Sequence, residues 1–245
     1  MNCVPNRLLS KKQLSISMGD ERAIRIDEKF CEIYGAMIGD GCISRYVTKD
    51  GQKRTELVIT GDGELDAEYH SYLAFLLKQV LGAKPYTYKR KDENTRKISV
   101  VRKSVSEHFI SLGFPVGEKG DIVIPERILS LPWALLRFVI RGIFDTDGCL
   151  TAKKNEGYKY PFIIISSKSE PLIKQLHEIL RERGYPSYIK KNRKELRIRG
   201  QKNTIKWMED IGSSNSRHVK KYSYWKRNNI IPVKRRACSS ADITP

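Results

Sequence analysis

Several features that mark other classes of protein are absent from this sequence. It has no run of about 18 apolar residues, which excludes a membrane-spanning helix. Its first residues lack a continuous apolar segment, so we expect a protein that is not secreted and is cytoplasmic, or lies in an organellar matrix in a eukaryotic host. The five cysteines form no CxxC pair and the four histidines have no ligand spacing. Neither a disulfide framework nor a zinc site is therefore predicted.

Positive charge is the first informative feature that is present. Lys and Arg number 46 against 28 Asp and Glu, which gives a net charge of +18. The basic residues are spread along both halves of the chain, whereas a protein that binds membrane surfaces would concentrate them on one amphipathic helix. The composition therefore predicts a nucleic-acid partner and no membrane partner.

The chain contains one long internal repeat. IYGAMIGDGCI at 33–43 returns as IRGIFDTDGCL at 140–150, so Asp40 corresponds to Asp147 and Gly35 to Gly142. The offset, 147 − 40 = 107 residues, is too long for a solenoid and fits a duplicated domain.

Each repeat shows the same succession of predicted elements. Amphipathic helices are predicted over 65–81 and 170–183, because each has apolar residues at helical spacing and stops at a glycine, Gly82 or Gly184. The predicted strands are 42–47, 55–60, 85–91 and 97–102 in the first repeat, and 149–154, 160–166, 186–192 and 195–199 in the second. A short last helix ends each repeat. The predicted fold class is α+β: two pseudo-symmetric αββαββα repeats, each an antiparallel sheet backed by helices.

The domain organisation follows from these elements. We expect an N-terminal extension at 1–25, a first domain at 26–130, a second at 131–225 and a basic C-terminal tail at 226–245. The two motif helices are expected to join the domains.

The repeated segment resembles the nine-residue motif of the LAGLIDADG family. Gly35 and Gly142 stand at the motif's first glycine, Asp40 and Asp147 at its last aspartate, and each aspartate precedes a closing glycine. The resemblance covers roughly residues 25–225. It implies a single-chain, intron-encoded homing endonuclease, which cuts both DNA strands and reads a long site through two β-sheets in the major groove.

The two aspartates also indicate a metal site on physical grounds. Each lies at a helix C-terminus, where a carboxylate is disfavoured by about 0.3–1 kcal/mol, and a glycine is expected to cap the helix there. Pairing the helices through their small residues would bring both carboxylates together, which disfavours them further. A divalent cation would reverse both effects, and oxygen ligands indicate Mg²⁺, with Mn²⁺ or Ca²⁺ able to substitute in binding. The predicted ligand positions are Asp40, Asp147, Gly39 and Thr146.

Further catalytic candidates come from the basic groups that family enzymes carry around the metal. Lys103 and Lys202 follow the fourth strand of each repeat, and Lys168 follows the second strand of the second repeat. For each of these lysines a solvated or phosphate-contacting role stays equally open. Asp145 has no acidic counterpart in the first repeat, where Ile38 stands, so we predict a structural role for it.

Long polar side chains along the predicted strands are candidates for DNA contacts. Antiparallel strands fit the major groove, where side chains can distinguish all four base pairs. Because the two repeats differ, we expect a monomer that binds a long asymmetric double-stranded site. The candidates are Arg45, Lys89, Lys91, Lys190, Asn192, Arg197 and Arg199.

Two other functions compete with the nuclease. The resemblance also allows an RNA maturase, with intron RNA as partner, or a regulator of the same fold that binds without cutting. The paired aspartates favour the nuclease, since a pure binder has no use for two adjacent carboxylates. A basic structural protein of the ribosome would explain the charge but not the repeated motif.

Overall fold

The computed structural model describes residues 24–90 and 93–232, so Lys91 and most of both predicted extensions lie outside the described residues. The first repeat comprises α1 (Glu28–Asp40), β1 (Gly41–Val47), β2 (Lys53–Asp62), α2 (Ala67–Leu81), β3 (Tyr86–Lys89), β4 (Thr95–Val100) and α3 (Lys103–Ser111). A short helix α4 (Glu126–Leu129) follows. The second repeat comprises α5 (Trp133–Asp147), β5 (Gly148–Ala152), β6 (Pro161–Ser166), α6 (Glu170–Glu182), β7 (Ser187–Ile189), β8 (Glu195–Arg199) and α7 (Gln201–Asp210), and α8 (Ser216–Asn228) comes last.

Two four-stranded antiparallel sheets confirm the predicted fold class. Their strand orders are β1-β2-β4-β3 and β5-β6-β8-β7, so each sheet has the same topology. The predicted helices 65–81 and 170–183 match α2 and α6 within two residues. Helix α8 was not predicted, and it runs past residue 225, where the second domain was expected to end. The domain boundaries remain predictions. Within the described parts of the chain, no helix is long and apolar enough to cross a bilayer.

The two motif helices, α1 and α5, pack against each other along their glycines. A Cβ atom on Gly35 would collide with the Val139 carbonyl, and one on Gly142 would collide with the Glu32 carbonyl. The predicted pairing of the two helices through their small residues is thus confirmed, because backbone atoms occupy the space that any larger side chain would need.

The glycines that end the helices of each repeat adopt two different conformations. Gly82 and Gly184 are left-handed, at φ 57° and 72°, as predicted for residues that end a helix. Gly41 and Gly148 cap α1 and α5 as expected, but with extended backbones, and they begin strands β1 and β5. Their lack of a side chain is required by close packing: a Cβ would strike the Met37 backbone or the Phe144 ring.

Each sheet buries the side chains of one face, and most described side chains of the other face are partly or fully exposed. Leu57, Ile59 and Ile98 lie side by side on the buried face of the first sheet, and Ile163, Ile165 and Ile198 on that of the second. We call this the helix face and the opposite one the open face. Because side chains alternate along a strand, the register assigns every strand residue to one of the two.

Each repeat sends a segment across to the other. After α3, Ile124 exchanges two hydrogen bonds with the Gln175 side chain of α6, at 2.7 and 3.0 Å. After α7, the Asn215 amide donates to Asp66 Oδ1 in the first repeat at 3.1 Å. These two crossing segments, 113–125 and 212–220, flank the paired motif helices and complete the site between them.

Candidate active site and nucleic-acid interface

Asp40 and Asp147 lie at the C-terminal ends of the two packed helices, both half-buried. Burial, and then the charge of Asp147, raise the pKa of Asp40 to about 7. Burial raises the pKa of Asp147 to about 6, against an opposing effect of Lys119. Among the described residues neither carboxylate accepts a hydrogen bond or forms an ion pair within 4.0 Å. The structure therefore brings together two carboxylates that protein groups do not neutralise directly.

Lys119 was missed by the sequence analysis. It lies in the first crossing segment, and its Nζ donates to the carbonyl of Ile38 at 2.9 Å and to that of Gly39. Burial lowers the pKa of Lys119, while the charges of Asp147 and Asp40 raise it. No sequence pattern points to this role, because a lysine in a loop between glycines has no periodicity that indicates its partners 80 residues away.

The groove beside Asp147 contains several predicted site residues. It has a volume of about 800 Å³, and its lining includes Gly39, Lys119, Asp147, Lys168 and Asn192. Lys168 therefore lies in the same groove as Asp147. Thr146, another predicted ligand position, uses its hydroxyl to donate to carbonyls of its own helix, at 3.0 Å each.

Lys103 and Lys202 are not brought to the carboxylates. Ile43, Leu57 and Val100 lie side by side in the first sheet, so the chain moves away from Gly41 as it passes Val100 toward Lys103. At about 3.3 Å per residue, this places Lys103 roughly 15 Å from the Gly41 end. The second sheet repeats this geometry for Lys202, because its last strand also runs away from the Gly148 end.

Arg217 is the cation that the structure supplies on the first-repeat side. It lies in the first turn of α8, and its guanidinium is 3.6 Å from Asp66 Oδ1. Its charge opposes the burial that raises the pKa of Asp40, and it adds to the Leu65 N–H hydrogen bond that lowers the pKa of Asp62. The first repeat has Gly61-Asp62 where the second has Ser167-Lys168, and a cation from the second crossing segment lies nearby instead.

Asp145 has a structural role, as predicted. It is fully buried, and its carboxylate accepts from the Ser213 hydroxyl, and from the Ser214 N–H at 2.7 Å. Nδ1 of His218 lies 3.5 Å away. Its side chain therefore anchors the second crossing segment and points away from the site of Asp40 and Asp147.

The predicted DNA contacts divide between the two sheet faces. Arg197 and Arg199 alternate with buried Leu196 and Ile198, so both lie on the open face of the second sheet. Lys190, which pairs with Glu195 at 3.4 Å, lies with Asn192 in the β7–β8 turn.

The first-repeat candidates are a correction. Arg45 lies two residues after the buried Ile43, and its guanidinium pairs with Glu107 of α3 at 3.2 Å. Lys89 lies two residues after Thr87, the cross-strand partner of buried Ile98. Both belong to the helix face because side chains alternate along a strand. The open face there instead carries Ser44, Tyr46, Arg54, Thr60, Tyr86, Tyr88 and Lys97.

The donor set fits an oxygen-ligated cation rather than a closed protein cage. No group of three His, Cys, Asp or Glu suited to a metal occurs in ranges 24–90 and 93–232. Mg²⁺ does not need one, since it commonly takes one or two carboxylates and completes its shell with water and phosphate oxygens. Two half-buried carboxylates with raised pKa values, at the negative ends of two helices, suit such an ion.

Comparison with known proteins gives the same family as the motifs. Residues 134–222 match the family model described as a LAGLIDADG-like domain. No curated protein sequence matches the chain. This match confirms the predicted LAGLIDADG family for the sequence of the second repeat.

Solved structures extend the similarity to both repeats. I-DmoI in complex with DNA and Mn has 19% sequence identity and a TM-score of 0.53, over 78% of this chain and 99% of that chain. I-DmoI with DNA and Ca has 17% identity and a TM-score of 0.56, over 80% and 97%. The LAGLIDADG homing endonuclease I-LtrWI, bound to target DNA, has 12% identity and a TM-score of 0.54, over 83% and 90%. The chain thus has the fold of single-chain LAGLIDADG homing endonucleases.

Proposed function

We propose that this protein is a site-specific, divalent-metal-dependent endonuclease that hydrolyses both strands of a long asymmetric DNA site. The observation that carries the proposal is the pairing of Asp40 and Asp147 at the ends of two helices held in contact by glycines. The fold shared with I-DmoI and I-LtrWI, both solved with DNA, supports it.

Asp40 and Asp147 would hold the metal, with Mg²⁺ as the expected ion. Relatives solved with Mn or Ca support the expectation that these ions can substitute in binding. Bound there, a divalent ion would activate water and stabilise charge on the scissile phosphate and the leaving oxygen. The carbonyl of Gly39 lies beside this site, and the Lys119 ammonium now binds it.

The cations around the carboxylates would hold the phosphates to be cut. Lys119 and Lys168 line the groove with Asp147, and Arg217 lies on the Asp40 side. Charge-assisted bonds from such groups to phosphate oxygens are short and strong, so they would fix each strand before it reacts. One carboxylate and at least one cation would thus serve each strand.

The open faces would hold the duplex. Arg199 is exposed on the open face of the second sheet, where arginine can bind guanine through two hydrogen bonds, and Arg197 beside it is paired with Glu195 at 2.7 Å. The net charge of +18 favours contact with phosphates. One chain contains both motifs, so we propose that a monomer binds the site. The unequal open faces would select an asymmetric sequence.

Cleavage of a plasmid library of randomised inserts and of intron-free host DNA, followed by sequencing of the ends, tests this function. We expect the wild type to cut both strands at one site in Mg²⁺, and Asp40→Asn and Asp147→Asn to bind without cutting both strands. Asp121→Asn is the matched control, since Asp121 is exposed in the same groove and the charge change is identical.

Two outcomes would overturn the proposal. Double-strand cutting by Asp147→Asn at the wild-type rate would remove the proposed role of the carboxylates. Specific binding of DNA or intron RNA by the wild type, with no cutting in Mg²⁺ or Mn²⁺, would identify a regulator or maturase instead.

A further inference from the structure

The two repeats present very different charges at equivalent ends of their sheets. The segment after β2, at 62–66, carries three acids and no cation, whereas its counterpart after β6, at 166–170, carries one of each. The β3–β4 turn at 90–94 has two cations and two acids, but the β7–β8 turn at 190–194 has four cations and no acid. Since both segments adjoin the catalytic ends of their sheets, the DNA strands on either side of the cut would meet different potentials.

In the second repeat, most of these cations lack an acidic partner. An open groove of about 1300 Å³ lies between α6 and the β7–β8 turn. Lys168, Lys191 and Lys194 line it, are exposed, and have no carboxylate within 4.0 Å among the described residues. The lining holds six cations against three acids, Asp121, Glu170 and Glu178. Arg193 lies 3.9 Å from Glu170, and Lys174 lies 3.9 Å from Glu178.

This groove is continuous with the one that contains Asp147. Lys168 and Lys194 line both grooves, together with the acid Asp121, so exposed cations extend from the groove of Asp147 to the β7–β8 turn at the edge of the second sheet. A chain of phosphates that passes Asp147 could follow these cations.

Two of the three cations in the groove between the first repeat and α8 are paired with acids, and the third, Lys221, donates to the Leu150 carbonyl at 3.2 Å. Arg217 lies 3.6 Å from Asp66, and Lys220 lies 2.8 Å from Glu68. Glu64 and Glu68 also line the groove formed there with α8. Phosphates on this side would therefore meet little net positive charge.

We infer that the sugar–phosphate backbone of one DNA strand lies in the groove of Lys168, Lys191 and Lys194, so that affinity is concentrated in the half-site on the second repeat. The inference rests on the proposed function and adds which half of the site provides the electrostatic part of binding. Counterion release gives it a measurable form, because each phosphate neutralised contributes about 0.9 to the salt dependence of log K.

The decisive experiment compares two triple variants of equal charge. The groove variant carries Lys168→Met, Lys191→Met and Lys194→Met. The control carries Lys29→Met, Lys78→Met and Lys84→Met, three exposed positions on the helix side of the first repeat. Binding to a 30-bp duplex is measured in EDTA across salt concentrations, with thermal unfolding as a check that both variants fold.

We expect the groove variant to lower the salt slope by about 2 to 3 and the affinity by on the order of 100-fold at 0.1 M salt, while the control changes the slope by less than about 0.5. Equal effects of the two variants would overturn the inference, since net charge alone would then explain them. This measurement needs no cleavage, so it stays informative if the proposed nuclease activity fails.

Half-site duplexes, split at the wild-type cleavage position, locate the effect. The wild type should bind one half at least about 10-fold tighter, and the groove variant should lose that preference. Phosphates whose ethylation weakens wild-type binding but not that of the groove variant should all lie in the preferred half. Ethylation effects spread equally over both halves would contradict the inference.

Discussion

Asp145 and Asp147 are two residues apart on α5, yet their surroundings assign them different roles. Asp145 is fully buried among donors from the second crossing segment, whereas Asp147 is half-buried and has no donor within hydrogen-bonding distance among the described residues. A carboxylate satisfied by hydrogen bonds stabilises the fold, and one left without them is available for a ligand. The same sequence motif therefore holds a structural acid beside one that is free to bind a ligand.

Replacing Asp145 should destabilise the protein without altering the active carboxylates directly. Asp145→Ala leaves the Ser214 N–H and the Ser213 hydroxyl without a buried acceptor, which should cost about 2–4 kcal/mol of unfolding free energy. Urea denaturation measures this, with Glu182→Ala, at an exposed position near the end of α6, as a control expected within about 0.5 kcal/mol. A loss below about 1 kcal/mol would refute the anchoring role.

Glu32, a buried residue of α1, should make stability depend on pH. Burial raises its pKa to about 7, even though Tyr72 donates to it at 3.2 Å, and Arg141 lies 3.9 Å away. Asp145 also acts on it and raises the pKa further. Between its ordinary value of 4.5 and about 7 the folded state binds more protons than the unfolded state, so stability falls as pH rises through this window.

Glu32→Gln removes that titration. We expect the variant to gain about 1–3 kcal/mol over the wild type at pH 8, where the wild type carries the full cost of a buried charge, and to differ little at pH 5. Urea unfolding of both proteins at the two pH values gives the comparison. A difference that is the same at pH 5 and pH 8 would show that Glu32 does not titrate in this range.

At the scale of elements, the contact between α1 and α5 determines how close the two carboxylates lie. Alanine normally stabilises a helix relative to glycine by about 1 kcal/mol. At Gly35 and Gly142 we expect the opposite sign, a loss of about 2 kcal/mol or more, because the new Cβ meets backbone carbonyls that cannot rotate away. Cleavage should fall with it, since the aspartates at the helix ends would separate.

Urea unfolding and plasmid cleavage check this prediction. Ser71→Ala on the exposed side of α2 is the control, and we expect a change within about 0.5 kcal/mol and normal cleavage. Stabilisation by Gly35→Ala would mean that the helices can move apart at no cost.

An element or side-chain position could be predicted where it follows from the sequence pattern of neighbouring residues. Periodicity and glycine stops predicted α2 and α6 well, and the two-residue spacing of Ile43 and Arg45 was available to assign Arg45 to the helix face. Lys119 and Arg217 could not be found this way. Both lie in the crossing segments, where their position depends on contacts with residues 80 or more positions away.

At the scale of the whole molecule, the crossing segments make two similar repeats into one unit. Asn215 is fully buried and connects both: its amide donates to Asp66 Oδ1 at 3.1 Å and to the Asp145 carbonyl at 2.9 Å. Its Oδ1 accepts from the Arg217 N–H at the start of α8. The exposed pair of Lys220 and Glu68 makes the same connection, but exposed ion pairs contribute only about 0–1 kcal/mol.

The repeats should therefore unfold together. All three tryptophans lie in the second half of the chain, at 133, 207 and 225, so their fluorescence reports the second repeat while far-UV circular dichroism reports both. Coincident urea transitions by the two probes indicate one cooperative unit. Asn215→Ala should move both transitions to lower urea and lower the free energy of unfolding by about 2–3 kcal/mol. Lys220→Met should change that free energy by no more than about 0.5 kcal/mol. If fluorescence and circular dichroism separate in the wild type, the repeats fold independently, and the contact of α1 with α5 alone would have to hold the two carboxylates together.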